Sequence, residues 1–114
     1  MTPRLHTSTW VEALVRRAQV AGASAFIVKR GDAQRGDVLV KVAQLNGTAR
    51  AYAPAMGMEG DRVFQDLAVQ GVGPDEVSVD DYVARARVRD ADLWIVEIED
   101  RDGRHFLTEP VETA

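Results

Sequence analysis

The run Leu93-Trp94-Ile95-Val96-Glu97-Ile98-Glu99 constrains this chain more than any other stretch. Its first half is apolar on both faces of a strand and its second half alternates, the pattern of a central strand whose far end reaches solvent. Asp102-Gly103 beyond it is a tight-turn pair, so Arg104 to Leu107 is expected to return as a partner strand. A chain of 114 residues has the commonest length for one domain and removes roughly two-thirds of its unfolded surface from water.

The N-terminal half supplies a helix and a hairpin. Thr9 and Glu12 fit a capping box, and Val11, Leu14, Val15 and Ala18 follow the spacing of one buried helix face. Gly22 stands where a left-handed C-terminal residue is wanted, so the first helix is expected over Thr9 to Ala21. Ser24 to Arg30 reads as a strand, Gly31 to Asp37 as a loop, and Val38 to Leu45 as an alternating strand. Asn46-Gly47 is the signal of a two-residue hairpin loop, with Thr48 to Ala53 returning. That pairing sets Leu45 opposite Thr48, Val42 opposite Ala51 and Lys41 opposite Tyr52.

Pro54 to Gly60 reads as a loop and Asp61 to Val69 as another strand. A second helix is expected to begin at Ser78 with Asp80 and Asp81. Its apolar face is Val79, Tyr82, Val83 and Ala86, and Arg85, Arg87 and Arg89 lie toward its negative end. The expected fold is α+β: a mainly antiparallel sheet of about five to six strands, with two helices packed on one face. Neither an internal repeat nor a linker divides residues 1–114, so they are expected to form a single domain.

Composition excludes several classes of function. There is no cysteine, hence no disulfide framework, thiolate nucleophile or sulfur-ligated metal. Residues 1–57 carry 8 Lys+Arg and 3 Asp+Glu, and residues 58–114 carry 6 and 15. The net charge of −4 argues against a dedicated nucleic-acid binder, whose affinity comes from cationic side chains. Ala23-Ser24-Ala25 resembles a signal-peptidase site with Arg4 as its charged start, but Glu12, Arg16 and Arg17 interrupt the apolar stretch such a leader needs. No apolar run approaches the ~20 residues of a bilayer span. The expectation is a cytoplasmic protein without membrane association.

Asp92-Leu93-Trp94-Ile95-Val96-Glu97-Ile98-Glu99-Asp100, continuing through Arg101-Asp102-Gly103-Arg104-His105-Phe106, resembles a family of small alphaproteobacterial proteins of unknown function. Trp10 to Arg17, Val38 to Val42, Leu45 to Arg50 and Tyr52-Ala53-Pro54 are similar to the same family. The resemblance implies a single bacterial cytoplasmic domain and assigns no activity or site.

Candidate sites are few. Gly31-Asp32-Ala33-Gln34-Arg35-Gly36 spaces two glycines as a phosphate loop does, but no Lys-Ser/Thr pair or helix follows to supply aligned amides. Asp100, Asp102 and Gly103, with Glu97 and Glu99 nearby, echo the start of a calcium loop that then breaks off into Arg104-His105-Phe106. His105 falls opposite Asp100 in the expected hairpin, a pairing that could orient an imidazole for general-base work. Ser8, Ser24 and Ser78 lie in no nucleophile context. On the central hairpin Lys41, Arg50 and Tyr52 are expected on one face, where two cations beside an aromatic ring could hold an anionic or planar ligand or a partner's acidic segment. No cofactor or metal site is assigned. The resulting reading is a small non-catalytic binding or regulatory, adaptor-type protein with a protein partner or a homo-oligomeric state. The alternative is a small enzyme using carboxylates or the Asp100–His105 pair.

Overall fold

The computed structural model describes residues 5–113; Arg4 lies outside them. Helix α1 (Thr7–Val20) precedes strands β1 (Ser24–Lys29), β2 (Val38–Ala43), β3 (Ala49–Met56) and β4 (Arg62–Asp66). A 3-10 turn (Leu67–Gln70), helix α2 (Glu76–Arg89), β5 (Trp94–Glu99) and β6 (Val111–Glu112) complete the chain. The strands form one sheet in the order β1-β5-β2-β3-β4-β6. β5 does lie inside the sheet, antiparallel to β1 and parallel to β2. β2–β3 and β3–β4 are antiparallel, and β4–β6 is parallel.

The sheet is therefore mixed, which corrects the expectation of a mainly antiparallel one. The cause is the expected C-terminal hairpin. Asp102-Gly103 turns as anticipated, with Gly103 at φ 72°. However, β5 is already hydrogen-bonded to β1 and β2 on its two sides, so a returning strand has no free edge to join. The chain crosses the sheet instead and pairs as β6 beyond β4.

The two helices pack on opposite faces, not on one. All six residues of β2 are buried, so both of its faces need cover. Val38, Val40 and Val42 join Val11, Leu14 and Ala18 of α1, together with Trp94, Val96 and Ile98. Leu39 points the other way and joins Val79 and Ala86 of α2 with Ala49, Ala51 and Ile95. The alanines of β3 leave that second face flat enough for α2 to approach.

Helix ends differ from the capping expectation. α1 begins two residues earlier than expected with no side-chain cap at His6, so Thr9 lies within the helix and no capping box forms. Thr7 instead donates to the carbonyls of Gln34 (3.3 Å) and Gly36 (3.1 Å), tying the helix start to the loop before β2. Gly22 closes the helix at φ 96°. Its N–H bonds the Gln19 carbonyl and that of Ala23 the Ala18 carbonyl, the paired bonds of a Schellman end. In α2 the cap is Asp75, whose carboxylate accepts the Ser78 N–H at 3.0 Å. The helix thus starts ahead of Ser78.

The central hairpin is displaced by one residue. Leu45 takes φ 64°, and the Gln44 N–H donates to the Thr48 carbonyl at 3.0 Å. The loop therefore has three residues, Leu45 to Gly47, where Asn46-Gly47 alone signalled two. Asn46 Oδ1 holds it by accepting the Thr48 N–H (3.0 Å) and hydroxyl (2.6 Å). Lys41 then faces Ala51, Val42 faces Arg50 and Val40 faces Tyr52. A slip of one residue exchanges the two faces, so Lys41 is separated from Arg50 and Tyr52.

β3 continues through Pro54 to Met56 where a loop was expected, and β4 ends at Asp66, short of Val69. The loop at Gly31 to Gly36 lies against the start of β5. Trp94 Nε1 donates to the Asp32 carbonyl at 2.7 Å, and a Cβ at Gly31 or Gly36 would run into the Asp92 carbonyl. Close packing explains that glycine pair. No helix among the described residues is long and apolar enough to cross a membrane.

Candidate functional site

The segment between β5 and β6 forms a strap across the α1 side of the sheet. At its start the Asp100 carboxylate accepts the Arg104 N–H (2.9 Å), Nε (3.0 Å) and Nη2 (2.8 Å). Farther on, Arg17 of α1 donates twice to the Phe106 carbonyl, from Nε at 3.1 Å and Nη2 at 2.9 Å. Trp10 Nε1 donates to Glu109 Oε2 at 2.7 Å. Phe106, Leu107 and Val111 pack against the core that includes Val40, Val42, Tyr52 and Phe64. Between the strap, the β2–β3 hairpin and the end of β4 lies a cleft of about 480 Å³, lined among others by Arg50, Tyr52, Asp66, Asp102 and His105.

Asp66 anchors the cleft. It is buried, and Arg50 Nη1 reaches its Oδ2 at 2.5 Å while the Ala68 N–H reaches Oδ1 at 2.9 Å. The carboxylate thereby caps the 3-10 turn and neutralises the guanidinium together. Tyr52 is only 4% exposed, which corrects the expectation of an open sheet face. Burial, reinforced by the Asp66 charge and opposed by Arg50, raises the pKa of its hydroxyl and keeps it protonated. Among the described residues none hydrogen-bonds that hydroxyl. The His105 ring stands against Tyr52, and its Nδ1 accepts the Leu107 N–H at 2.9 Å. Burial lowers the His105 pKa, with Asp66 opposing. The ring is therefore neutral and carries its proton on Nε2.

The expected Asp100–His105 pair does not form. Asp100 is occupied by Arg104, and with no returning strand His105 is carried over to Tyr52. Lys41 sits on the α2 side of the sheet, 5% exposed. It pairs there with Glu76 (2.7 Å), Asp80 (2.6 Å) and Glu97 (3.5 Å). Burial pulls its pKa down, but the hydrogen bonds it donates to Asp80 and Glu76 and the charge of Glu97 outweigh this and hold it above the ordinary lysine value. Burial pushes the Glu97 carboxyl up against the opposing pull of Lys41. Arg85, Arg87 and Arg89 remain exposed on α2.

Of the three sequence candidates, Arg50 and Tyr52 share the cleft and Lys41 does not. Asp66 was not anticipated as a site residue. Its signal is Asp66-Leu67-Ala68 leading to Gly71, the pattern of a capped short turn.

The model of a family described as "Protein of unknown function (DUF1491)" matches residues 5–108. A crystal structure of a DUF1491 family protein from Caulobacter crescentus CB15 is 48% identical, with a TM-score of 0.87 over 96% of this chain and 100% of that one. An NMR structure of a DUF1491 family protein from the same organism is 47% identical, with a TM-score of 0.85 over 97% and 99%. The solution structure of protein Atu0922 from A. tumefaciens is 28% identical, with a TM-score of 0.75 over 94% and 95%. No curated protein matches the chain.

Proposed function

This chain belongs to the DUF1491 family, and we propose that it is a small non-catalytic binding protein whose ligand or protein partner enters the cleft beneath the C-terminal strap. In this reading it works as one domain, in the cytoplasm, in a regulatory or adaptor-type role. The observation that carries the proposal is the Tyr52 hydroxyl: its ring is buried in the sheet while its oxygen stays accessible at the cleft, where no described residue bonds it. A hydroxyl at the tip of a buried tyrosine ring is a donor ready for a partner, and in this reading the partner is what the cleft receives.

The neighbouring groups support recognition over proton transfer. His105 Nδ1 is held by Leu107, and both Asp66 oxygens are engaged by Arg50 and Ala68. A general base needs a lone pair free to take a proton; the one on His105 Nδ1 is used, and Asp66 is held in its ion pair with Arg50.

The test is affinity capture from a lysate of the host, with the wild type and the double variant Arg50→Lys/Tyr52→Phe immobilised side by side. Both substitutions keep charge or ring, so the variant is expected to melt close to the wild type while losing a molecule the wild type retains. Identical retention by two equally folded proteins would overturn the proposal.

A further inference from the structure

We propose that the cleft takes a carboxylate, gripped by the Nε/Nη2 edge of Arg50 with the Tyr52 hydroxyl and the His105 Nε2–H as further donors. This names the ligand chemistry of the binding reading above and rests on it.

The inner wall offers donors, and its buried acceptor is already engaged. Arg50 uses Nη1 on Asp66, and its side chain is 54% exposed, which leaves the adjacent Nε–H and Nη2–H available. Two parallel N–H groups on one guanidinium edge match the two oxygens of a carboxylate. The protein already uses this grip, since Arg104 holds Asp100 through the same two nitrogens, Nε to Oδ2 and Nη2 to Oδ1. The protonated Tyr52 hydroxyl and neutral His105 add uncharged donors. Asp66, the buried acceptor, already takes a hydrogen bond on each oxygen and is paired with Arg50.

Charge decides between oxyanions. The Arg50–Asp66 pair is neutral as a unit, and the carboxylate of Asp102 at the rim is exposed and screened by salt. One half-committed guanidinium with neutral donors suits a monoanion. A phosphate dianion has three acceptor oxygens and calls for more cationic charge than the wall provides. The carboxylate could be that of a small organic acid or the C-terminus of a peptide, and the two are separable by experiment.

The experiment is an NMR titration of the ¹⁵N-labelled full chain at fixed ionic strength. The probes are acetate, N-acetylglycylglycine, the C-terminal amide of that dipeptide, and inorganic phosphate. Acetate or the peptide acid should saturably shift the Arg50 Nε–H and the backbone amides of Arg50, Tyr52, Asp66 and His105. The tighter of the two identifies the source of the carboxylate. Arg50→Lys, which keeps the charge and loses the fork, should weaken that binding about tenfold or more, and Tyr52→Phe should weaken it to a smaller extent. Equal or tighter binding of the amide or of phosphate at these resonances would overturn the carboxylate assignment and leave the cleft as a binding site. Silence from all four probes, with capture from lysate still dependent on Arg50 and Tyr52, would overturn the ligand class alone. Silence with capture independent of both residues would overturn the binding reading as well.

Discussion

The His105 ring meets the Tyr52 ring edge to face, with centroids 5.1 Å apart and planes inclined by 66°. This contact joins the C-terminal strap to β3 across the cleft, and aromatic pairs of this geometry contribute about 0.5–1.5 kcal/mol beyond the area they bury. It also places an imidazole where its charged form is unwelcome.

That placement predicts a pH dependence. Burial lowers the folded-state pKa of His105, with Asp66 partly opposing, below an unfolded value of about 6.5. Below about pH 6.5 the unfolded chain takes up a proton that the folded ring resists, so stability present above that pH is lost as pH falls through the folded pKa. Protonation also removes the Nδ1 acceptor of the Leu107 N–H. Urea midpoints at pH 7.5 and 5.5 should fall more steeply for the wild type than for His105→Gln. Equal slopes would show that the ring titrates alike in both states.

Lys41 predicts a different response. It is a buried cation facing three carboxylates that retain partial access to water. Lys41→Met keeps the packed stem and strands the acids, at a cost of about 2–3 kcal/mol, less than for a fully buried pair because water screens Asp80 and Glu76. Without Lys41 the charge and hydrogen bond that oppose burial at Glu97 are gone, so its pKa rises further above the ordinary value. The folded variant then holds a proton that the unfolded chain releases, and the deficit should shrink between pH 7 and pH 4. Denaturant unfolding at the two pH values checks this, and a constant deficit would contradict it.

Trp94 is 1% exposed and its indole donates to the Asp32 carbonyl. Trp94→Ala should cost about 3–5 kcal/mol. Trp94→Phe should cost less, about 1–3 kcal/mol, because it retains a ring and loses only one of the two hydrogen bonds that carbonyl accepts, the Gly36 N–H at 3.2 Å remaining. Chemical denaturation of both variants gives the comparison, and a shift under about 1 kcal/mol for the alanine variant would place the residue at the surface.

At Gly31 a methyl group would overlap the Asp92 backbone carbonyl, and the next N–H, that of Asp32, donates to the same oxygen at 3.0 Å. Gly31→Ala should therefore destabilise by about 1–3 kcal/mol, the range of overpacking. Gly60→Ala, with open space around its Cβ position, should show a backbone cost alone, about 1–2 kcal/mol. Equal thermal shifts in the two variants would argue against the steric account.

Periodicity made much of the fold legible. The burial of Val11, Leu14 and Ala18, the left-handed Gly22, and the interior position of Leu93 to Glu99 all follow from local patterns. The errors share a physical origin in competition between distant segments. Arg104 to Leu107 carries a turn signal ahead of it and still forms no strand, because β1 and β2 occupy both sides of β5. Both helices were assigned to one face although Val38 to Ala43 is buried throughout, and the lone charge at Lys41 disguised the second buried face. The hairpin slip hung on Leu45 accepting a positive φ, which a leucine does not advertise. The site was half legible: Arg50 and Tyr52 lay in a recognisable strand, whereas Asp66 reaches them through the β3–β4 register that sets it opposite Tyr52, and His105 only through the strap.

The insertion of β5 beside β1 has a consequence for synthesis. Among the described residues β1 pairs with β5 alone, and about seventy residues separate Ser24 from Trp94. While the ribosome adds those residues, at about 5–20 each second, the nascent Ala25, Phe26, Ile27 and Val28 have no strand to join. The β2–β3–β4 meander can zip as it emerges, but the N-terminal third must wait. A chain stalled before Trp94 therefore carries an open apolar edge, and such an edge is what holdase chaperones and nascent-chain aggregates engage.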